Sequence, residues 1–279
     1  MTTPTPPRPA PELPALARAP APVAGRLAGR RVLVTGAGSG IGAAIAALFV
    51  EAGASVACVD LRPGAGGTLA LEADVADADS VGRAVDAAVR AFGGLDGLVN
   101  VAGIADTQLA ESVTLEAWRR VIDVNLTGTF NVCRAMLPHL RAAHAEATAA
   151  RARAGLPEEP GHGTATIVNF SSGQGLQPFA RRSAYAASKA GVIAFSKCIA
   201  IEWAPAIRVN TICPGATDTP MVRDAYDAAT VREQVGPRYA LGRIAQADEV
   251  AHAALYLTGA ESAFVTGIAL AVDGGRSFH

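Results

Sequence analysis

The sequence predicts an α/β fold: a single-domain, doubly wound parallel sheet of about seven strands with helices on both faces. Three observations predict it. Short apolar runs recur along the 279 residues, helical stretches with apolar i, i+3, i+4 spacing alternate with them, and a glycine-rich turn joins the first run to the first helix. The length suits one large α/β domain as readily as two small ones, and the unbroken alternation favours one.

Residues 1–26 stand apart. Prolines at 4, 6, 7, 9, 11, 14, 20 and 22 deny this Pro/Ala/Arg-rich extension a helix or a sheet ladder, so it is expected to be disordered. Its arginines outnumber the one acid, Glu12, yet the proline density argues against an amphipathic transit helix, and there is no apolar stretch of the secretory kind. Residues 27–279 are the expected folded domain.

Arg-Val-Leu-Val-Thr over 31–35 reads as a buried strand that ends in Gly36-Ala-Gly-Ser-Gly-Ile-Gly42 and runs into a helix to about residue 52. Strand, glycine turn and helix N-terminus together make an anion site, because glycines let a pyrophosphate approach the backbone and the free N–H groups face it. A second strand over 55–59 is followed by Asp60, 18 residues beyond Gly42. A carboxylate there accepts hydrogen bonds from the ribose hydroxyls of NAD and repels the 2′-phosphate of NADP, so NAD is the expected cofactor. Residues 61–67 are too few for a crossover helix. At most one helical turn should precede a strand over 68–73, whose end brings Asp74 and Val75 to an adenine.

A helix over 79–92 buries Val81, Val85, Ala88 and Val89, and a fourth strand over 95–100 ends in Asn100-Val-Ala-Gly103. The helix that starts near Thr114 carries Trp118, Val121, Ile122 and Asn125. Asparagine is unfavourable inside a helix, and with Gly128 three residues on it marks a local irregularity. Between 140 and 163 the composition turns to Ala, Arg and Glu and then to Gly and Pro, which predicts a helix extension and an exposed loop, an insertion near 141–162. A fifth strand over 164–170 delivers Ser171 and Ser172 at its C-terminal end, where open parallel sheets bind ligands.

A helix over 183–203 has Val192, Phe195, Ile199 and Trp203 on its buried side, and sets Tyr185 and Lys189 four apart on one face. An ammonium beside a phenol favours the phenolate. Tyr185 is therefore expected to titrate below its ordinary value of about 10 and to trade a proton with an oxygen held by Ser172. The sixth strand, 207–212, runs into Pro214-Gly-Ala-Thr-Asp-Thr-Pro220, where backbone groups and Thr219 meet a carboxamide. Residues 220–243, helical and interrupted by proline, read as a substrate lid. A helix over 248–257 and a strand over 268–272 complete the fold.

Half the residues are hydrophobic and the net charge is −1. No basic surplus points to nucleic acid and no polybasic block to a membrane surface. No continuous apolar run approaches the roughly 18 residues that span a bilayer. A soluble cytoplasmic protein with a small-molecule partner is expected. Cys58, Cys133, Cys198 and Cys213 are scattered without a C-x-x-C pair, as reduced thiols are, and the dispersed cysteines and histidines predict no metal site.

Together these motifs resemble the short-chain dehydrogenase/reductase family over roughly 27–275: Thr35-Gly-x-x-x-Gly-x-Gly42, Asp74, Asn100-x-Ala-Gly103, Asn125, Ser172, Tyr185-x-x-x-Lys189, Pro214-Gly215 and Val272-Asp-Gly-Gly275. The resemblance implies a Rossmann-like domain with a catalytic tetrad of Asn125, Ser172, Tyr185 and Lys189. In it Tyr185 is the general acid/base, Ser172 positions the substrate oxygen, Lys189 tunes Tyr185 and grips a ribose, and Asn125 holds a water. It also implies cofactor contacts from Gly36, Ser39, Gly40, Ile41, Gly42, Asp60, Leu61, Asp74, Val75, Asn100, Ala102, Gly103, Tyr185, Lys189, Pro214, Gly215, Ala216 and Thr219. Substrate contacts fall to Ser172, Gln174, Phe179, Tyr185 and Met221. The family's habit implies a homo-oligomer, dimer or tetramer, with residues 263–267 at a subunit contact. Val101 departs from the family's Asn-Asn-Ala-Gly.

The implied activity is NAD-dependent hydride transfer between a secondary alcohol or its ketone and nicotinamide. A 3-oxoacyl-type ketoreductase is the alternative, and Asp60 argues against it because such enzymes mostly use NADP. A non-catalytic dinucleotide-binding sensor or scaffold tends to lose tetrad members. All four are present here.

Overall fold

The computed structural model describes residues 23–156 and 165–278; the expected disorder of residues 1–22 and the loop end of the insertion lie outside the described residues. Seven parallel strands form one sheet in the order β3-β2-β1-β4-β5-β6-β7: β1 Arg31–Thr35, β2 Ser55–Asp60, β3 Leu69–Glu72, β4 Gly97–Asn100, β5 Ala165–Phe170, β6 Ile207–Pro214 and β7 Ala269–Val272. The order reverses between β1 and β4, and that switch point opens a crevice at the C-terminal strand ends.

β4, β5 and β6 are buried along their whole lengths, as strands covered on both faces must be. Side chains alternate across each strand. Leu33, Leu98 and Ile167 go to one core, with α2 Ala78–Phe92, α4 Gly128–Arg153 and the later α6. Val34, Val99 and Val168 go to the other, with α1 Gly40–Glu51 and the later α9. The doubly wound sheet expected from the sequence is what the chain forms.

Residues 61–68 carry no helix, as their small number led one to expect, and β3 pairs with β2 at the sheet edge. Helix α3, Leu115–Ile122, passes through a π-turn, Asp123–Thr127, directly into α4. The irregularity expected at Asn125 is that turn. Residues 141–153, expected as a helix extension, are the last turns of α4. Next come the short turn α5, Gly173–Leu176, and α6, Ser183–Glu202. Among the described residues only α6 is long and apolar enough by composition to cross a membrane, and half of that window is buried inside the protein. The stretch 220–243 consists of α7 Pro220–Arg223, α8 Ala228–Thr230, a π-turn and a 3-10 turn, before α9 Ala247–Thr258.

Residues 23–26, assigned to the extension from sequence, instead form turns on the body; Arg26 Nε meets Glu261 Oε1 at 2.7 Å. The N-terminal edge of the sheet is tied by Asp96, which receives Arg30 Nε at 2.5 Å and Arg31 Nε at 3.1 Å. Arg30 also donates to Thr258 O and Thr166 Oγ1. Buried Arg208 donates to the carbonyls of Leu257, Gly259 and Val265, closing the C-terminus of α9.

Candidate active site

A cavity of about 1260 Å³ opens at the C-terminal strand ends, walled by the β1–α1 turn, the ends of β2, β4, β5 and β6, α6 and the 220–243 stretch. Gly36 has φ +68, and a Cβ there would lie 2.7 Å from Ala102 N, so the turns after β1 and β4 meet backbone to backbone. A Cβ on Gly42 would collide with the Gly36 carbonyl. Ser39 caps α1 without a side-chain hydrogen bond, which leaves the first-turn donors of α1 facing the cavity for an anion. Asp60 is fixed at the rim: its Oδ2 accepts from Gly38 N and its Oδ1 from Arg62 N, both at 3.0 Å. Each oxygen keeps a lone pair for a hydroxyl. A close glycine cradle, open helix donors and a fixed carboxylate fit a dinucleotide's pyrophosphate and ribose.

Leu61, Asp74, Val75, Ala102, Gly103, Pro214, Gly215, Ala216 and Thr219 line the same cavity. Asn100 does not. Strand alternation turns it the same way as Leu98, beneath α4, where its Nδ2 donates to Asn169 Oδ1 at 2.9 Å and to Cys133 Sγ. It holds the sheet under the site, and Thr35 Oγ1 beside it accepts from Val101 N and Ala102 N.

Ser172, Tyr185 and Lys189 converge on the cavity wall. Ser171 Oγ is committed to the Lys189 carbonyl at 2.7 Å, whereas Ser172 Oγ accepts from Gln174 N and turns its hydroxyl to the Tyr185 phenol. Lys189 Nζ donates to Phe170 O at 2.9 Å and lies 5.8 Å from the Tyr185 ring centroid. Burial lowers the Lys189 pKa to about 8. Burial also raises Tyr185, against the smaller opposing pulls of the Ser172 hydroxyl and the Arg182 charge. The sequence had Lys189 drawing Tyr185 down. That expectation is corrected, because desolvation of the phenol outweighs the Ser172 hydroxyl and the Arg182 charge.

Asn125 is fully buried and does not line the cavity. Its Oδ1 accepts from Ile104 N at 2.8 Å, and its Nδ2 donates to Ile104 O and to Ser188 Oγ. A Cβ on Gly103 would be 3.1 Å from Asn125 Oδ1 and 3.3 Å from Lys189 Nζ, so Gly103 is the gap through which the two groups face each other. Ser188 was not singled out from the sequence. It donates to the Tyr185 carbonyl at 2.7 Å while receiving Asn125, and its only sequence signal is a polar residue one helical turn after Tyr185.

Beyond Tyr185 the wall is formed by Gln174, Phe179, Met221, Arg182, Tyr239 and Arg276, among others. Arg181 has φ 69, a left-handed backbone that costs a non-glycine residue about 1–3 kcal/mol. Its carbonyl is pinned by Gln108 N at 3.0 Å. Tyr239, also missed, packs its ring on Gly215 and accepts a hydrogen bond from Ala216 N at 2.8 Å. Nothing in the local sequence distinguishes it from the other tyrosines.

A family model described as enoyl-(acyl carrier protein) reductase matches residues 36–277. The cis-4-hydroxycyclohexanecarboxylate dehydrogenase of Sinomonas cyclohexanicum is 39% identical over 88% of this chain and 96% of its own. Among solved structures, the ligand-free aldohexose dehydrogenase of Thermoplasma acidophilum superposes with a TM-score of 0.80 at 34% identity, covering 91% of this chain and 96% of that one. The 3-ketoacyl-(acyl-carrier-protein) reductase of Brucella melitensis complexed with NADH does so at 0.77 and 35%, covering 90% and 99%.

Proposed function

The chain belongs to the short-chain dehydrogenase/reductase family, and from that premise we propose that it is an NAD-dependent oxidoreductase acting on a secondary alcohol or the matching ketone. The observation that carries this reading is the meeting of Ser172, Tyr185 and Lys189 on one wall of the cavity that the glycine cradle opens. NAD, when bound, accepts or supplies the hydride. Gly36, Ser39, Gly40, Ile41 and Gly42 hold the pyrophosphate, Asp60 and Leu61 the adenosine ribose, and Asp74 and Val75 the adenine. The Asp60 carboxylate at the rim supports NAD over NADP.

Ser172 Oγ orients the substrate oxygen toward the Tyr185 hydroxyl. Tyr185 takes the alcohol proton in oxidation and returns it in reduction, and the same groups therefore serve a ketoreductase. Lys189, with its pKa near 8, exchanges a proton at working pH and passes it on through the gap at Gly103, where Asn125 Oδ1 keeps a lone pair for a water. Holding alcohol and acceptor in register supplies about 7 kcal/mol or more of the barrier reduction in favourable cases.

The relatives' substrates support a small alcohol: one acts on a hydroxycyclohexanecarboxylate and another on D-threitol. Four free cysteines support a reducing, cytoplasmic location. Fully exposed Phe264 within 263–267 supports a homo-oligomer, dimer or tetramer.

Turnover of a panel of cyclic and polyol secondary alcohols, with NAD and with NADP, tests the reading. The parent is expected to prefer NAD at least about tenfold in kcat/KM, and Tyr185→Phe to lose roughly 100- to 10,000-fold in kcat. Equal rates for parent and variant would sink the catalytic assignment.

A further inference from the structure

Resting on the dehydrogenase reading above, we propose that the substrate carries a carboxylate, and that Arg182 and Arg276 hold it beyond the reacting hydroxyl. Arg182 places its guanidinium 6.0 Å from the Tyr185 ring centroid, and Arg276 places its own 5.7 Å from the Phe179 ring. Both are half-buried and line the cavity. Among the described residues neither meets a carboxylate. Arg182 uses one N–H on the backbone carbonyl of Asp106, at 2.8 Å. Asp273, three residues before Arg276, gives its carboxylate to the N–H groups of Gly275 and Ser277. A guanidinium about 6 Å from a ring centroid still has N–H groups to give, and its planar fork matches a carboxylate.

The charge balance of the lining agrees. On the α3 side Glu116 and Asp123 are matched by Arg119 and Arg120, whereas beyond Tyr185 three arginines, 182, 238 and 276, face one acid, Asp224. The backbone agrees as well. Arg181 is the one non-glycine residue with a left-handed φ among those described, and its bond from Gln108 N fixes the direction in which Arg182 leaves the chain. Strain kept beside a cavity marks a position set for function. With Phe179 and Met221 as apolar neighbours, the fitting substrate is a compact alcohol with an apolar body and an anionic far end.

Calorimetric titration of the NADH-loaded protein tests this with two neutral-for-charged pairs: cyclohexanecarboxylate against cyclohexanecarboxamide, and pentanoate against pentanamide. The parent is expected to bind the anion of at least one pair about tenfold tighter, the scale of charge-assisted hydrogen bonds. Arg182→Gln/Arg276→Gln should bring that ratio within about twofold while NADH affinity is kept; if the double variant does not fold, each single variant is expected to lower it at least about threefold. No anion preference in the parent, whether through equal or absent binding, overturns the proposal, and so does a preference that survives in the folded variants. Turnover is read separately. Neutral alcohols oxidised without anion preference remove the carboxylate and leave the dehydrogenase, whereas anion preference without hydride transfer does the reverse.

Discussion

Lys189 is buried at 4% exposure with its ammonium on a single carbonyl, and its pKa falls from 10.5 to about 8. Between those values the unfolded chain binds a proton that the folded chain has released, so this residue makes stability rise with pH from about 8 to 10.5. Below 8 the buried charge is a full penalty, on the order of 3 kcal/mol. Lys189→Met is therefore expected to melt several degrees above the parent at pH 7, the gap closing as pH climbs through that window, and to lose turnover. Calorimetric melting of both proteins across the pH range reads this; a less stable variant at pH 7 would mean that the Phe170 bond outweighs the desolvation. At this scale the Tyr185–Lys189 spacing was legible because it is local. The direction of the Tyr185 shift was not, because it depends on what the rest of the fold lays over the phenol.

The β1 turn, as an element, tolerates no side chain at its first glycine. Gly36→Ala needs a positive φ from a residue with a Cβ and drives that Cβ into Ala102 N. It is expected to destabilise by about 1–3 kcal/mol and to weaken NADH binding at least about tenfold, measurable by fluorescence titration; an unchanged affinity would show that the cradle is looser than its backbone contact. Strand, glycine turn and helix read directly from the sequence since each rests on nearest neighbours. Asn100 shows where that reading stopped short: its motif suggested a cofactor contact, yet the alternation that sends Leu98 under α4 sends Asn100 there too. The π-turn was visible only as an ill-placed asparagine, because an extra residue in a helix is stabilised by partners such as Ile104 and Ser188 that lie far off in the chain.

Across the whole molecule the two ends of the sheet do different work. The N-terminal edge is bound together by Asp96 with Arg30 and Arg31, and the C-terminal edge carries the chemistry. Asp96→Ala removes the carboxylate shared by two arginines that are 20% and 25% exposed and that keep their bonds to Thr258 O, Thr166 Oγ1 and Gly93 O; it is expected to destabilise by about 1–3 kcal/mol, with kcat unchanged below the melting range. Denaturant unfolding beside steady-state kinetics checks both halves, and a parallel loss of kcat in the folded variant would contradict the division. Fold class and sheet were legible from periodicity, while the join between the 220–243 stretch and the strand ends was not. Tyr239 is one part of that join, beside the bond from Leu241 N to Gly274 O and those of Ala245 with Ala216 and Asp218. The bond from Ala216 N to the Tyr239 hydroxyl, a neutral one, contributes about 1 kcal/mol net, roughly a fivefold bias, to that join. The stretch and the Pro214–Thr219 loop both line the cavity and are fastened to each other, so a change that loosens one is expected to loosen the other.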